Sequence, residues 1–205
     1  MFYKIPPDPV FRFGDIVQGF ALSEPIIDKP PWGAEFMIGV QLSAYSVVVS
    51  PCCSIGEMKI ALSPLLPIDK NWLRNPYFRE DLTNINRMME PEQSLSPTAW
   101  ASLPPQDREK RIAAGRGYAF YSFFVYQPAE FLLTYKRNVS GEEVEIGHYA
   151  IDFRNIHKVN SKSIQSPENV PIEMKKGQLT IDSRSELRAK MSFYFARPAV
   201  EDLVV

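Results

Sequence analysis

Apolar residues in this chain come in short runs, parted by Gly, Pro and small polar residues, and that rhythm predicts strands more than long helices. Residues 1–13 are Pro-rich and predict an extended arm. Gly14-Asp15 then predicts a turn into a strand over Ile16–Phe20. Residues 23–33, with Pro25, Pro30, Pro31 and Gly33, predict a loop. Glu35–Leu42 and Tyr45–Ser50 are two further apolar runs, and the short Ser43-Ala44 gap predicts a hairpin between them. Met58–Leu62 predicts another short strand.

The middle of the chain changes period. From Phe78 through Leu82, Ile85 and Met88/Met89 the apolar spacing is close to helical, after a break at Pro76. Ser96-Pro97 predicts an N-cap with Pro at the first helical position, opening a short helix through Trp100. Gln106–Ala114 predicts a polar helix closed by Gly115. Together these predict a helical insertion over about residues 69–116. Strands are expected to resume at Tyr118–Tyr126, Phe131–Tyr135 and Val144–Phe153, with a turn at Asn138–Gly141. A final helix is expected over about residues 183–196. It would open on a Ser183/Glu186 capping box, bury Leu187, Met191 and Tyr194, and end at Arg197-Pro198. The expectation is a mostly β, α+β chain forming one domain over residues 1–205.

Composition refines this picture at a few points. Thirteen Phe, nine Tyr and three Trp favour strands, and 18 Pro work against long helices. The formal net charge of −1 gives no global attraction to nucleic acid or membrane. Between Arg154 and Arg197, nine Lys/Arg face four acids, a mild local basic bias. The N-terminus lacks the apolar run of a signal peptide, and no window has the length of a membrane span. The two cysteines are adjacent, at Cys52 and Cys53. Neighbouring cysteines rarely bridge, which fits a reducing, cytoplasmic setting.

Several residues carry candidate chemistry. Cys52 or Cys53 could serve as a thiolate nucleophile, with His148 or His157 as base and Asp152 orienting it. The simpler role is that of small apolar fillers beside the Ser50-Pro51 corner. A zinc site is disfavoured because Cys-Cys lacks the spacing that lets both sulfurs reach one ion. No cofactor is implied. Asp15 has the position of a turn carboxylate accepting backbone amides. Arg184, Arg188 and Lys190 predict a basic face on the last helix, with Lys158, Lys162, Lys175 and Lys176 nearby in sequence. Such a face suits phosphates or a protein surface. Trp72, Phe78 and Trp100, with Tyr77, Met88 and Met89, either pack the insertion down or offer a partner face, since interface cores use the same residue types.

Phe13-Gly14-Asp15-Ile16-Val17 followed by Val47-Val48-Val49-Ser50 resembles the opening of the MazF/PemK-like superfamily of prokaryotic toxin–antitoxin systems. The nearer resemblance is to a prokaryotic branch with a Ser-x-x-Cys-Asp-type strand end. Its counterparts here are Ser50–Ile55, Ile151-Asp152-Phe153 and Ser183–Pro198. The resemblance implies a small SH3-like β-barrel, and a metal-independent endoribonuclease using Arg12, Asp15, Ser50 or the basic terminal helix. Two departures weigh against catalysis. Ala44-Tyr45-Ser46 stands where the ribonucleases carry Arg-Pro, so the phosphate-stabilising cation is missing from its usual place. Ser54 stands where the nearer branch has a carboxylate. The leading expectation is therefore a non-catalytic, protein-binding accessory module of a prokaryotic stress or antiviral defence system, toxin–antitoxin or CRISPR-associated. Trp72, Phe78 and Trp100 would form its partner face. An RNA-cleaving enzyme is the alternative, and a Cys-dependent hydrolase a further one. A protein partner is expected ahead of nucleic acid, and a membrane is not expected.

Overall fold

The computed structural model describes residues 1–6, 10–26, 37–51, 59–74, 76–90, 93–160 and 175–196. Strands β1 (Ile16–Val17), β2 (Ala21–Ile26), β3 (Met37–Leu42), β4 (Ser46–Val48) and β5 (Lys59–Pro64) come first. After β6 (Leu66–Pro67) come helices α1 (Lys70–Leu73) and α2 (Pro76–Glu80) and a 3-10 helix at Leu82–Asn86. Strand β7 (Ser94–Leu95) and helices α3 (Pro97–Ser102) and α4 (Pro105–Ala113) follow. Then come β8 (Gly117–Tyr118), β9 (Phe123–Tyr126), β10 (Tyr135–Val139), β11 (Glu142–Ile146) and β12 (Tyr149–Asp152). The chain closes with β13 (His157–Asn160), β14 (Lys175–Gly177) and α5 (Ile181–Ala196). The architecture is mixed α+β with mainly antiparallel sheets.

The chain forms two compact units. The first comprises Met1–Leu66 and Arg154–Arg184, the second Pro67–Phe153 and Ser185–Val205.

The first unit is built on a five-stranded sheet in the linear order β13-β5-β4-β1-β14. Val47 and Val48 are buried because β4 is an inner strand, flanked by β1 and β5, and Val49 just beyond it is buried too. A run that is apolar on both faces is the pattern such a strand requires. Phe11, Val17, Phe20, Leu22, Val48, Ile60 and Leu62 form the core of this unit. The hairpin expected across Ser43-Ala44 does not form among the described strands. β3 pairs instead with β2, in the register Ala21↔Leu42, while β4 pairs with β1 and β5. Of the arm expected over residues 1–13, residues 7–9 lie outside the described residues, and the described part bends at Lys4-Ile5 and is tied down through its backbone. Tyr3 N donates to Gln178 O at 3.0 Å, and Thr180 N donates to Met1 O at 2.9 Å.

The second unit contains the described helices α1 to α4, the 3-10 helix and the strands β7 to β12. Its core joins helix and strand: Ile68, Leu73, Phe78, Leu82, Ile85 and Trp100 pack with Tyr118, Phe120 and Val125. The 3-10 helix is tied to β9 through Asn86. Its Nδ2 donates to Val125 O at 2.8 Å, and its Oδ1 accepts from Val125 N at 2.6 Å. One side-chain amide thus satisfies both backbone groups of Val125, as a neighbouring strand would. Tyr135 braces the β10 end, accepting from Ile68 N at 2.7 Å and donating to His148 O at 2.6 Å. Burial pushes its hydroxyl pKa up to about 12.

Local boundaries differ from expectation where a turn interrupts an apolar run. Tyr118–Tyr126 is two strands parted by a turn at Tyr121-Ser122, and Val144–Phe153 is likewise divided at Gly147-His148. The Asn138–Gly141 turn forms as predicted. Gly141 takes φ 94° and its N–H donates to Asn138 Oδ1 at 3.0 Å. Ser96 caps α3 through its hydroxyl, with Pro97 at the first helical position. The Ser183/Glu186 capping box is corrected: α5 starts earlier, at Ile181. Thr180 Oγ1 accepts from Ser183 N at 3.4 Å and Thr180 O accepts from Arg184 N at 2.9 Å, which places Ser183 inside the first turn.

Candidate functional site

The densest polar cluster of the first unit is organised around Asp15. Gly14, with φ 85°, reverses the chain so that Arg12 N donates to Asp15 Oδ2 at 2.7 Å. Gly14 N and Asp15 O then bond to Val48 at 2.7 and 3.0 Å, locking the turn onto β4. Asp15 is fully buried. Lys175 Nζ, arriving on β14, meets Asp15 Oδ2 at 2.7 Å, Val10 O at 2.8 Å and Gln178 Oε1 at 2.7 Å. An ammonium has three donors, and these three acceptors use them all. Arg184 Nη2 stands 3.8 Å from Asp15 Oδ1 and 3.4 Å from Leu179 O.

Burial pushes the Asp15 carboxyl pKa up, against the Lys175 hydrogen bond and charge, the Arg12 N–H and the Arg184 charge that pull it down. Among the described residues, Asp15 Oδ1 and Arg184 Nε, both buried, have no hydrogen-bond partner. Removing two charges from water costs several kcal/mol per ion, of the order of the attraction they regain (~4 kcal/mol at an effective dielectric near 20), so this pair holds a geometry more than it adds stability. The cluster supplies cations that local sequence lacks, but Lys175 has no donor left for a phosphate. Ser50, the third residue of the ribonuclease expectation, is also engaged: its buried Oγ accepts from Ala61 N at 2.6 Å.

The thiol constellation cannot be built from the described residues. Cys52 and Cys53 lie outside them. His148 and Asp152 bracket β12, where Tyr149 faces Tyr126 and Asp152 faces Phe123. Four steps along extended backbone separate the pair by roughly 13 Å, so Asp152 does not orient His148. Burial lowers the pKa of His148, with the charge of Asp81 acting in the opposite sense. His157 Nε2 bonds to Asn155 Oδ1 at 2.5 Å. Among the described residues, no group of three or more His, Cys, Asp or Glu could hold a metal ion.

The two predicted binding faces are corrected. Phe78 and Trp100 are buried at 3% and 4% exposure, and Trp72 is half-buried against the same core. Trp72 meets Phe120 and Phe123 edge-on at 5.2 and 4.9 Å, and Trp100 meets Tyr118 at 5.3 Å. These aromatics form the interior of the second unit, the packing role that composition left open. The basic face of α5 also dissolves. Lys190 is buried with its Nζ on the carbonyl of Ile85, Arg184 turns to Asp15, and of the three only Arg188 is exposed. Lys175 is buried, Lys158 and Lys176 are exposed, and Lys162 lies outside the described residues.

Sequence reasoning missed one surface and two partnerships. Helix α4 has no buried residue along its nine, and its single large apolar side chain, Ile112, is 59% exposed. Its charge-rich sequence was visible, but that it buries no residue was not. Lys175 with Asp15 and Lys190 with Ile85 have no signal in any sequence window. No described helix is long and apolar enough to cross a membrane.

No protein-family model matches the chain, and no curated protein matches it.

Proposed function

We propose that this chain is a non-catalytic protein-interaction module, an accessory component of a prokaryotic stress or defence system. In this reading the antiparallel sheet of the first unit is a relative of the SH3-like barrels of the MazF/PemK-like superfamily, working in the cytoplasm. The observation that carries the interaction reading is α4. A nine-residue helix is too short to be stable alone in water, where about 12–15 residues are marginal. Most protein helices are stabilised by burying an apolar stripe. α4 buries no residue and leaves Ile112 exposed among Arg108, Lys110 and Arg111. A partner surface would supply the missing burial. The engaged state of Asp15, Lys175 and Ser50 supports the non-catalytic half, since these three groups already serve the fold.

The test is co-purification of the tagged full-length chain with proteins encoded beside its gene, with cross-linking mass spectrometry to map the contact. The expected contact includes residues 105–113, and Ile112→Glu lowers recovery about tenfold without changing the thermal unfolding temperature. Cross-links that avoid α4, or equal recovery with the variant, would overturn the assignment of this surface. Metal-independent cleavage of single-stranded RNA by the purified chain would replace the module reading with the ribonuclease one.

A further inference from the structure

Lys190 is a buried group of the second unit that ordinary packing does not account for. Its exposure is 2%, and among the described residues its one partner is the carbonyl of Ile85. An ammonium has three donors, and a single neutral acceptor replaces little of the hydration that burial removes. Ile85 lies near the end of the 3-10 helix, whose last bond runs from Arg87 N to Asn84 O. The Ile85 carbonyl is therefore turned outward at a helix C-terminus, where a donor is favoured.

Besides Lys190, the charged and titratable groups on the 185–196 half of α5 are Glu186, Arg188 and Tyr194; Asp81 and Arg87 flank the 3-10 helix, and Tyr121 stacks on Phe193 of α5. None of them forms an ion pair with Lys190 among the described residues.

We propose that Lys190 is a proton-operated latch: the 185–196 half of α5 docks tightly on the 3-10 helix while the amine is neutral, and loosens when the amine takes up a proton. The direction follows from burial, which lowers the Lys190 pKa from 10.5 to about 7. Below about pH 7 the docked and undocked states both hold the proton, and the full cost of a buried charge is present. Between about 7 and 10.5 only the undocked state holds it, so docking strengthens as pH rises. Above 10.5 both states are neutral and the dependence ends. From about pH 6 to about pH 8.5 the opening constant falls about 30-fold if opening returns the amine fully to water.

Hydrogen exchange on the full chain at about pH 6 and about pH 8.5, corrected for intrinsic rates, tests this. Amides in 187–196 are expected to gain about 30-fold protection at the higher pH. Lys190→Met, which cannot titrate, is expected to lose that slope. Equal slopes in the wild type and Lys190→Met overturn the latch. If Lys190→Met does not fold, side-chain NMR of Lys190 in the wild type decides: a midpoint near 7 upholds it, and one above about 9.5 refutes it.

Discussion

Lys175 shows how much a single side chain can carry when its donors are all placed. It holds the Asp15 carboxylate of the turn before β1, the Val10 carbonyl 165 positions away in sequence, and Gln178 on its own side of the sheet. Substituting Lys175→Met would leave the buried carboxylate without its nearest cation. Breaking such a pair from one side costs about 3–5 kcal/mol, whereas removing both charges costs far less. In urea unfolding, Lys175→Met is expected to lose stability on that scale. The double variant Asp15→Asn with Lys175→Met is expected to recover part of it. A double variant no better than the single one would show that the ion pair is not the source of the loss. Asp15 itself was legible as a turn carboxylate, because the Gly14-Asp15 pair and its Arg12 N–H lie within four residues. Its lysine was not, because no local pattern relates positions so far apart.

Among the elements, the 3-10 helix has the clearest dependence on one residue. Asn86 supplies β9 with the hydrogen bonds a strand would otherwise give it. Asn86→Ala leaves both backbone groups of Val125 without those partners, at an expected cost of about 1–3 kcal/mol each where water cannot enter. Hydrogen exchange at the Val125 amide should speed up well before exchange across the five-stranded sheet; unchanged protection at Val125 would mean that another group replaces the side chain. Elements with chemical punctuation were legible. Ser96-Pro97 opens α3, Gly115 with φ 70° follows α4, and Asn138–Gly141 turns β10 into β11. Elements without it were displaced: Thr180, also a favoured cap residue, lies three residues before Ser183 and starts α5 there.

At the scale of the molecule, the question is what the aromatic residues are for. Trp100 is buried among Tyr118 and its neighbours, so Trp100→Ala should cost about 3–5 kcal/mol and blunt the cooperative loss of tryptophan fluorescence on unfolding of the second unit. A partner-face role would instead leave stability within about 0.5 kcal/mol of wild type. α4 is one exposed element of that unit, where Ile112→Glu should act on binding and leave folding alone.

By itself the sequence determined what depends on near neighbours. It set the Gly14-Asp15 turn, the doubly apolar Val47–Val49 strand, the helical stretch between Lys70 and Ala113 and the terminal helix, because capping, turn chemistry and periodicity act over a few residues. Tertiary structure alone decided which strand β3 would pair with, that Trp72, Phe78 and Trp100 face a core, that Lys190 and Lys175 leave the expected basic face, and that α4 buries no residue. These outcomes depend on contacts between segments far apart in the chain. Buried and interface surfaces also draw on the same side chains, so only their placement tells them apart.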